Sequence, residues 1–220
     1  MCCCKQTNRN GNESGNQDDN FVEQTIKIVN KEMPFVGQFY QITNTCCANI
    51  VFIPGPSQII YSGPQHFFSL MKIQNDNGVL YIRMDDEKLV NKTDNGITLH
   101  ISSPSLRTIA VCGSGDFTAQ GNIKTEDMNV GNLGSGGIHL DSVSCKCLHY
   151  ELHANAVADI KYIDCEEELS IVSVYGGHFY AEGKTTSLLI DAEGGGSVSF
   201  CGTYQDKEIY HDKHTIVTIN

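Results

Sequence analysis

Two stretches, Ile109-Ala-Val-Cys-Gly113-Ser-Gly-Asp-Phe117 and Val130-Gly-Asn-Leu-Gly134-Ser-Gly-Gly-Ile138, decide the fold. Each puts an aliphatic residue eight positions before an apolar anchor, with a Gly-Ser-Gly turn between. The pattern recurs with anchors at Phe117, Ile138, Ile160, Phe179 and Val198, at steps of 21, 22, 19 and 19 residues. Ile109, Val130, Leu152, Ile171 and Ile190 stand eight before the anchors, and Ala119, Leu140, Tyr162, Ala181 and Phe200 stand two after. Gly121, Ser142, Asp164, Gly183 and Gly202 follow four after, as turn formers. The other small-residue turns are Ala156-Val-Ala-Asp159, Tyr175-Gly-Gly-His178 and Gly194-Gly-Gly-Ser197. Five columns over five copies mark an internal repeat.

A period near 20 is too short for two helices and a turn. Alternation such as Ile138-His-Leu140 and Leu169-Ser-Ile171 has the two-residue period of strands. Glycines permit the sharp corners that close each coil. Coils of this size, laid about 4.8 Å apart, bring equivalent residues into columns, and the inward columns form one apolar core. The predicted fold is therefore all-β, a β-solenoid with rungs of about 20 residues.

Upstream, strands are predicted at 24–30, 37–42, 49–53, 58–61, 67–73, 79–83 and 97–101, with Asn75-Asp-Asn-Gly78 as a tight hairpin turn. Nothing shows a convincing 3.6-residue period. These strands are expected to pair with the first rungs and protect the open edge. The organisation expected is a disordered polar tether at 1–20, an amino-terminal β part at 21–104 and repeats at 105–220. Residues 5–20 carry no apolar side chain, so ordering them would gain too little burial.

The whole chain has 220 residues and a net charge of −11, which leaves no basic footprint for nucleic acid. Anionic membrane surfaces are disfavoured on the same ground. No apolar run is long enough for a transmembrane helix, and the first residues lack the apolar core of a signal peptide. Ten cysteines sit at irregular spacing, several within apolar alternation, and are read as reduced, buried small hydrophobes. Cys2, Cys3 and Cys4, ahead of the tether, suggest a lipid anchor.

Candidate chemistry is sparse. The residue before each anchor forms the column Asp116, Gly137, Asp159, His178 and Ser197, turned outward. Asp116 and Asp159 would lie about 10 Å apart, two rungs of strand spacing. That is near the upper end of the separation of about 6.5–9.5 Å used by inverting glycosidases. The alternative to a non-enzymatic domain is accordingly a polysaccharide-cleaving enzyme of pectate lyase-like architecture, using Asp116, Asp159 and His178. A solvated polar column is the favoured reading.

Cys145, Cys147 and His149 form an incomplete zinc half-site whose members would lie along one strand. His139, His149, His153 and His178 differ in repeat register and should scatter over several faces. The acidic run Glu166-Glu-Glu168 near Asp164 lacks EF-hand spacing. No phosphate-binding loop, dinucleotide fingerprint or HExxH motif is present. No catalytic, cofactor or metal residue is assigned, and no cofactor is expected. Phe117, Phe179 and Phe200 are expected in the core, leaving Tyr150, Tyr175, Tyr180 and Tyr204 as exposed platform residues.

Three segments carry a family resemblance: Ile50-Val-Phe-Ile-Pro-Gly-Pro56, Phe68 through Ile82, and Leu106 through Phe117. Together with the paired Gly-Ser-Gly turns, they make residues 21–220 resemble the putative auto-transporter adhesin head GIN domain family. The resemblance implies a right-handed single-stranded β-helix in two parts. It also implies an exported, adhesin-like lipoprotein of the cell envelope, and it carries no catalytic or ligand residues over to this chain; a surface glycan or a protein is the partner expected. The Ala156-Val157-Ala158 turn departs from the family's Gly-Ser-Gly, and the missing leader departs from its export signal.

Overall fold

The computed structural model describes residues 27–34, 36–85, 96–153 and 155–220. The proposed tether and Cys2, Cys3 and Cys4 lie outside them. Among the described residues seventeen strands join in one hydrogen-bonded sheet, wound into a β-solenoid of about six turns. The only helix among the described residues is one turn, α1 (Gln65–Phe68).

Each coil has three faces. Face A carries β2 (Gln41–Asn44), β6 (Val79–Met84), β8 (Thr108–Val111), β10 (Asp127–Asn132), β14 (Ser187–Glu193) and β16 (Asp206–His211). Face B carries β3 (Asn49–Pro54) and β7 (Thr98–Ser103). It continues through the first halves of β9 (Phe117–Lys124), β13 (His178–Lys184) and β15 (Ser197–Thr203), and ends at β17 (Ile216–Ile219). Face C is shorter and holds the second halves of β9, β13 and β15. The long strands β11 (Ile138–His153) and β12 (Val157–Val174) bend through faces B, C and A in turn. Register shifts after Leu140, Cys145 and Ile160 mark the bends, as expected of bulges that turn a strand.

The chain does not stack its coils in sequence order. The coil of β2 and β3 lies between β6–β7 on one side and β8–β9 on the other. The remaining early strands, β1 (Ile28–Glu32), β4 (Gln58–Pro64) and β5 (Met71–Asp76), pair antiparallel: β1 with β4, β4 with β7, and β5 with β6. They cover the end of the solenoid. The β5–β6 hairpin turns at Asn77 and Gly78, both at positive φ (52° and 85°), as the predicted Asn-Gly turn requires.

Inside, the columns are real. On face A, Leu80, Ile42, Ile109, Val130, Tyr150, Ile171, Ile190 and Ile209 follow one another in register. On face B the order is Ile50, Phe117, Ile138, Ala158, Phe179, Val198 and Val217. The expected alignment is corrected in the third copy. Ala158, not Ile160, is the anchor, and Tyr150, not Leu152, is its partner eight residues earlier. A slip of two keeps every side chain on its face, so alternation alone could not detect it. Ala158 can be small because Tyr150 reaches into the core and meets Phe179 edge-on, with centroids 5.0 Å apart.

Two further copies escaped the sequence reading, Ile42/Ile50 and Ile209/Val217, with the same spacing of eight. In the first, Cys46-Cys47-Ala48 stands in place of Gly-Ser-Gly. Gly113 and Gly115 lie directly over this segment. A β-carbon on either would fall 2.1 Å from the carbonyl oxygen of Cys46 or Ala48. Gly134 and Gly136 repeat the contact one coil on, at 2.1 and 2.2 Å from the oxygens of Gly113 and Gly115. The glycines are therefore demanded by backbone-on-backbone stacking at this corner.

Candidate functional site

The outward residues of face B, from β11 to β17, form the most distinctive surface. Strand alternation sends Ile138, Leu140, Ala158, Ile160, Phe179 and Ala181 inward and their neighbours out. His139, Asp159, Tyr180 and Ser199 make one outward row across successive coils, and Val157, His178, Ser197 and Ile216 make the next. Between the rows lies an open depression of about 520 Å³, lined by His139, Val157, Asp159, His178, Tyr180 and Ser197 among others. Tyr180 is 40% exposed at its rim.

This arrangement corrects the expected column. Its true members are Asp116, Gly137, Val157, His178 and Ser197. Asp159 belongs to the neighbouring row, between His139 and Tyr180. Asp159 and His178 still line the same depression, but diagonally. Asp116 lies apart from them. Its Oδ1 accepts the backbone N–H of Gly137 at 2.7 Å, and its own N–H donates to Asn49 Oδ1 at 3.0 Å. Its carboxylate ties two coils together. His139 folds back over Gly137, where a β-carbon would meet its Nε2 at 2.7 Å.

The polar groups around the depression are partly engaged with one another. His178 Nδ1 lies 2.9 Å from Ser197 Oγ. The Tyr180 hydroxyl donates to the Glu182 carboxylate. That bond, then desolvation, pushes the phenol up to about 12, so the ring is neutral near pH 7. At the adjoining corner Asp141 accepts from Lys161 Nζ at 2.6 Å and from the Gly121 N–H at 3.0 Å. The lysine first, and the amide second, hold its carboxyl below the usual range.

The predicted aromatic platform is only partly there. Tyr175 is 72% exposed at the corner before face B, but Tyr204 is half-buried. Tyr150 is wholly buried, and burial raises its phenol pKa. Phe117, Phe179 and Phe200 are core residues as expected. The histidines divide between faces: His139 and His178 on B, His149 and His153 on A.

A second feature follows the corner between faces C and A. Residues 124–126, 144–146, 164–166, 184–186 and 203–205 from five successive coils line two adjoining depressions of about 250 and 360 Å³. Lys146 pairs with Glu126 at 3.3 Å and Lys184 with Asp164 at 3.1 Å. The acidic run sits here, and no group of three or more metal-ligating side chains is assembled among the described residues. The supposed half-site is divided. Cys145 points inward, the strand is irregular between Cys145 and Cys147, and His149 lies on face A with Nδ1 3.3 Å from Ser170 Oγ.

Among the described residues no helix is long and apolar enough to cross a membrane. No curated protein matches the chain. Solved structures of similar shape exist. One is described as a putative adhesin from Bacteroides fragilis, 18% identical, with a TM-score of 0.62 over 88% of this chain and 96% of that one. Another is described as a putative adhesin from Parabacteroides distasonis, 16% identical, with a TM-score of 0.55 over 88% of this chain and 98% of that one. At such identities the likeness speaks for the solenoid alone. Residues 39–202 match a sequence family, and by that match the chain belongs to the family described as "Putative auto-transporter adhesin, head GIN domain".

Proposed function

We propose that the chain is a non-catalytic, adhesin-like binding domain of the cell envelope that holds a surface glycan on face B. The observation carrying this reading is one exposed tyrosine ring, Tyr180, set beside Asp159, His139, His178 and Ser197 around an open depression. A neutral tyrosine ring offers an apolar face to the C–H side of a sugar. The carboxylate, imidazoles and hydroxyl offer hydrogen bonds to its hydroxyls. Against catalysis stands the use of Asp116 as an intercoil tie, which leaves Asp159 without the second carboxylate of a hydrolytic pair. The family's description as adhesin supports the envelope assignment. Cys2, Cys3 and Cys4 would carry an acyl anchor there.

A glycan array probed with the full chain tests the proposal, followed by Tyr180→Ala and Asp159→Asn on every glycan that binds. Each substitution should weaken binding at least about 10-fold, the scale of a lost contact at a binding hot spot. Unfolding free energy should stay within about 0.5 kcal/mol of the parent, as for surface positions. Glycan binding indifferent to both substitutions would refute the site. Glycan cleavage abolished by Asp159→Asn would promote the enzyme reading.

A further inference from the structure

Cys145 and Cys165 stand opposite one another on β11 and β12, one coil apart and in register. Both point inward, at 4% and 3% exposure, and both are free thiols. In-register neighbours on adjacent strands have Cα atoms about 4.8 Å apart, inside the range of about 4.4–6.8 Å that a disulfide spans. Cys46 and Cys47, by contrast, are sequence neighbours in a packed turn, and Cys112 and Cys201 are exposed.

The pair is approachable despite its burial. Cys145 lines one of the two corner depressions and Cys165 lines the other. The groups around Cys165 oppose one another. Carbonyl oxygens of Lys146 and Glu168, each 3.0 Å from its Sγ, hold the proton on sulfur. The Cys145 thiol foremost, then Thr185 and the N–H groups of Glu167 and Leu148, stabilise the thiolate, and the net direction is downward from the ordinary thiol value. Cys145 moves the opposite way, chiefly through the same contact. Whichever sulfur attacks first, its partner stands in register one coil away to resolve the mixed disulfide.

We propose that Cys145 and Cys165 are a dithiol pair that closes into an intercoil disulfide when the chain meets an oxidising disulfide such as oxidised glutathione or a thiol-oxidising protein. One of the two cysteines, as its thiolate, attacks one sulfur of the external disulfide, forming a mixed disulfide and releasing one thiol. Its partner, losing its proton to solvent, then attacks the cysteine sulfur of that mixed disulfide and expels the second thiol. The two cysteines are oxidised, the external disulfide is reduced to two thiols, and the two cysteine protons are carried by those thiols. The bridge closes a 20-residue loop, one whole coil. It therefore restricts the unfolded chain and locks β11 to β12 where the sheet bends.

The test equilibrates the folded full chain in reduced and oxidised glutathione, blocks free thiols by alkylation, and maps peptides by mass spectrometry. The expected result is a Cys145–Cys165 linked peptide in the oxidised sample only, with a melting temperature about 5 °C or more above the reduced sample, the scale for closing a loop of this length. Cys147→Ser should form the same link, and Cys165→Ser should lose both the link and the shift. Should Cys165→Ser fail to fold, the Cys147→Ser result alone decides. Full alkylation of Cys145 and Cys165 after equilibration with oxidised glutathione would overturn the proposal. So would a link joining either residue to another cysteine.

Discussion

Gly134 shows how a single atom can be forbidden. Its φ lies outside the positive region that favours glycine, so freedom of conformation is not the reason for glycine. A β-carbon there would sit 2.1 Å from the Gly113 carbonyl oxygen of the coil beneath, and only movement of one coil away from the other could relieve it. Gly134→Ala should destabilise the fold by about 3 kcal/mol, the upper range for overpacking a tight interior. Gly131 supplies the control, because a β-carbon there would meet nothing nearer than Leu133 Cγ at 3.9 Å. Gly131→Ala should be neutral or stabilise by up to about 1 kcal/mol through the unfolded chain. Urea midpoints of the two variants measure both, and equal midpoints would refute the stacking argument.

Among the local elements, the turn between β16 and β17 gives the clearest electrostatic signal. Asp212 Oδ1 accepts the N–H groups of His214 and Thr215, at 3.0 and 2.9 Å, and the Thr215 hydroxyl at 2.8 Å. Oδ2 accepts the Gly194 N–H of the preceding coil at 3.0 Å. With the Gly194 amide foremost and the Thr215 hydroxyl next, these donors hold the carboxyl at about 2, below its ordinary 3.8. A carboxylate whose pKa is depressed in the folded state stabilises it above the unfolded pKa, and that contribution is lost as pH falls through the folded value. The stability gap between the parent and Asp212→Asn should therefore be full above about pH 4 and shrink toward pH 2. Urea unfolding at pH 6, 4 and 3 measures it, and a gap unchanged at pH 3 would show that the charge has no part.

The same scale explains what could be seen in the residues alone. Gly-Ser-Gly turns and the spacing of eight made the coils legible, because backbone stacking leaves few alternatives at those corners. The third coil was misaligned by two because Ala and Tyr exchange volume across the core, Ala158 on face B against Tyr150 on face A. Patterns of apolar and polar residues do not record such exchanges. The first coil was missed because Cys46-Cys47-Ala48 fills the turn without glycine, beneath the glycines of the next coil. The candidate site suffered most: moving Asp159 one row over separates it from the Asp116 column, so a proposed catalytic line becomes one tie and one surface carboxylate.

Taken as a whole, the molecule is a stack in which each coil is completed by its neighbours. Face C shows the consequence along the axis. Its inward column runs Ile123, Val143, Ile163, Gly183, Gly202. The side chains give out toward the carboxy-terminal end, where a β-carbon on Gly202 would lie 1.8 Å from the Gly183 oxygen. The coils shorten in parallel, from steps of 21, 20 and 21 residues between face B anchors to 19 and 19. The solenoid thus tapers as its third face empties. Face B keeps its full inward set throughout, giving the outward rows of His139, Asp159 and Tyr180 a rigid backing.

Residues about twenty apart in sequence share ladders in a fixed register, and methyl and aromatic NMR contacts around the third coil measure that register directly. The Ala158 methyl should contact both Ile138 and Phe179, and Ile160 should contact Leu140 and Ala181. Ile160 packed in Ala158's place between Ile138 and Phe179, or no contacts between successive coils, would contradict it.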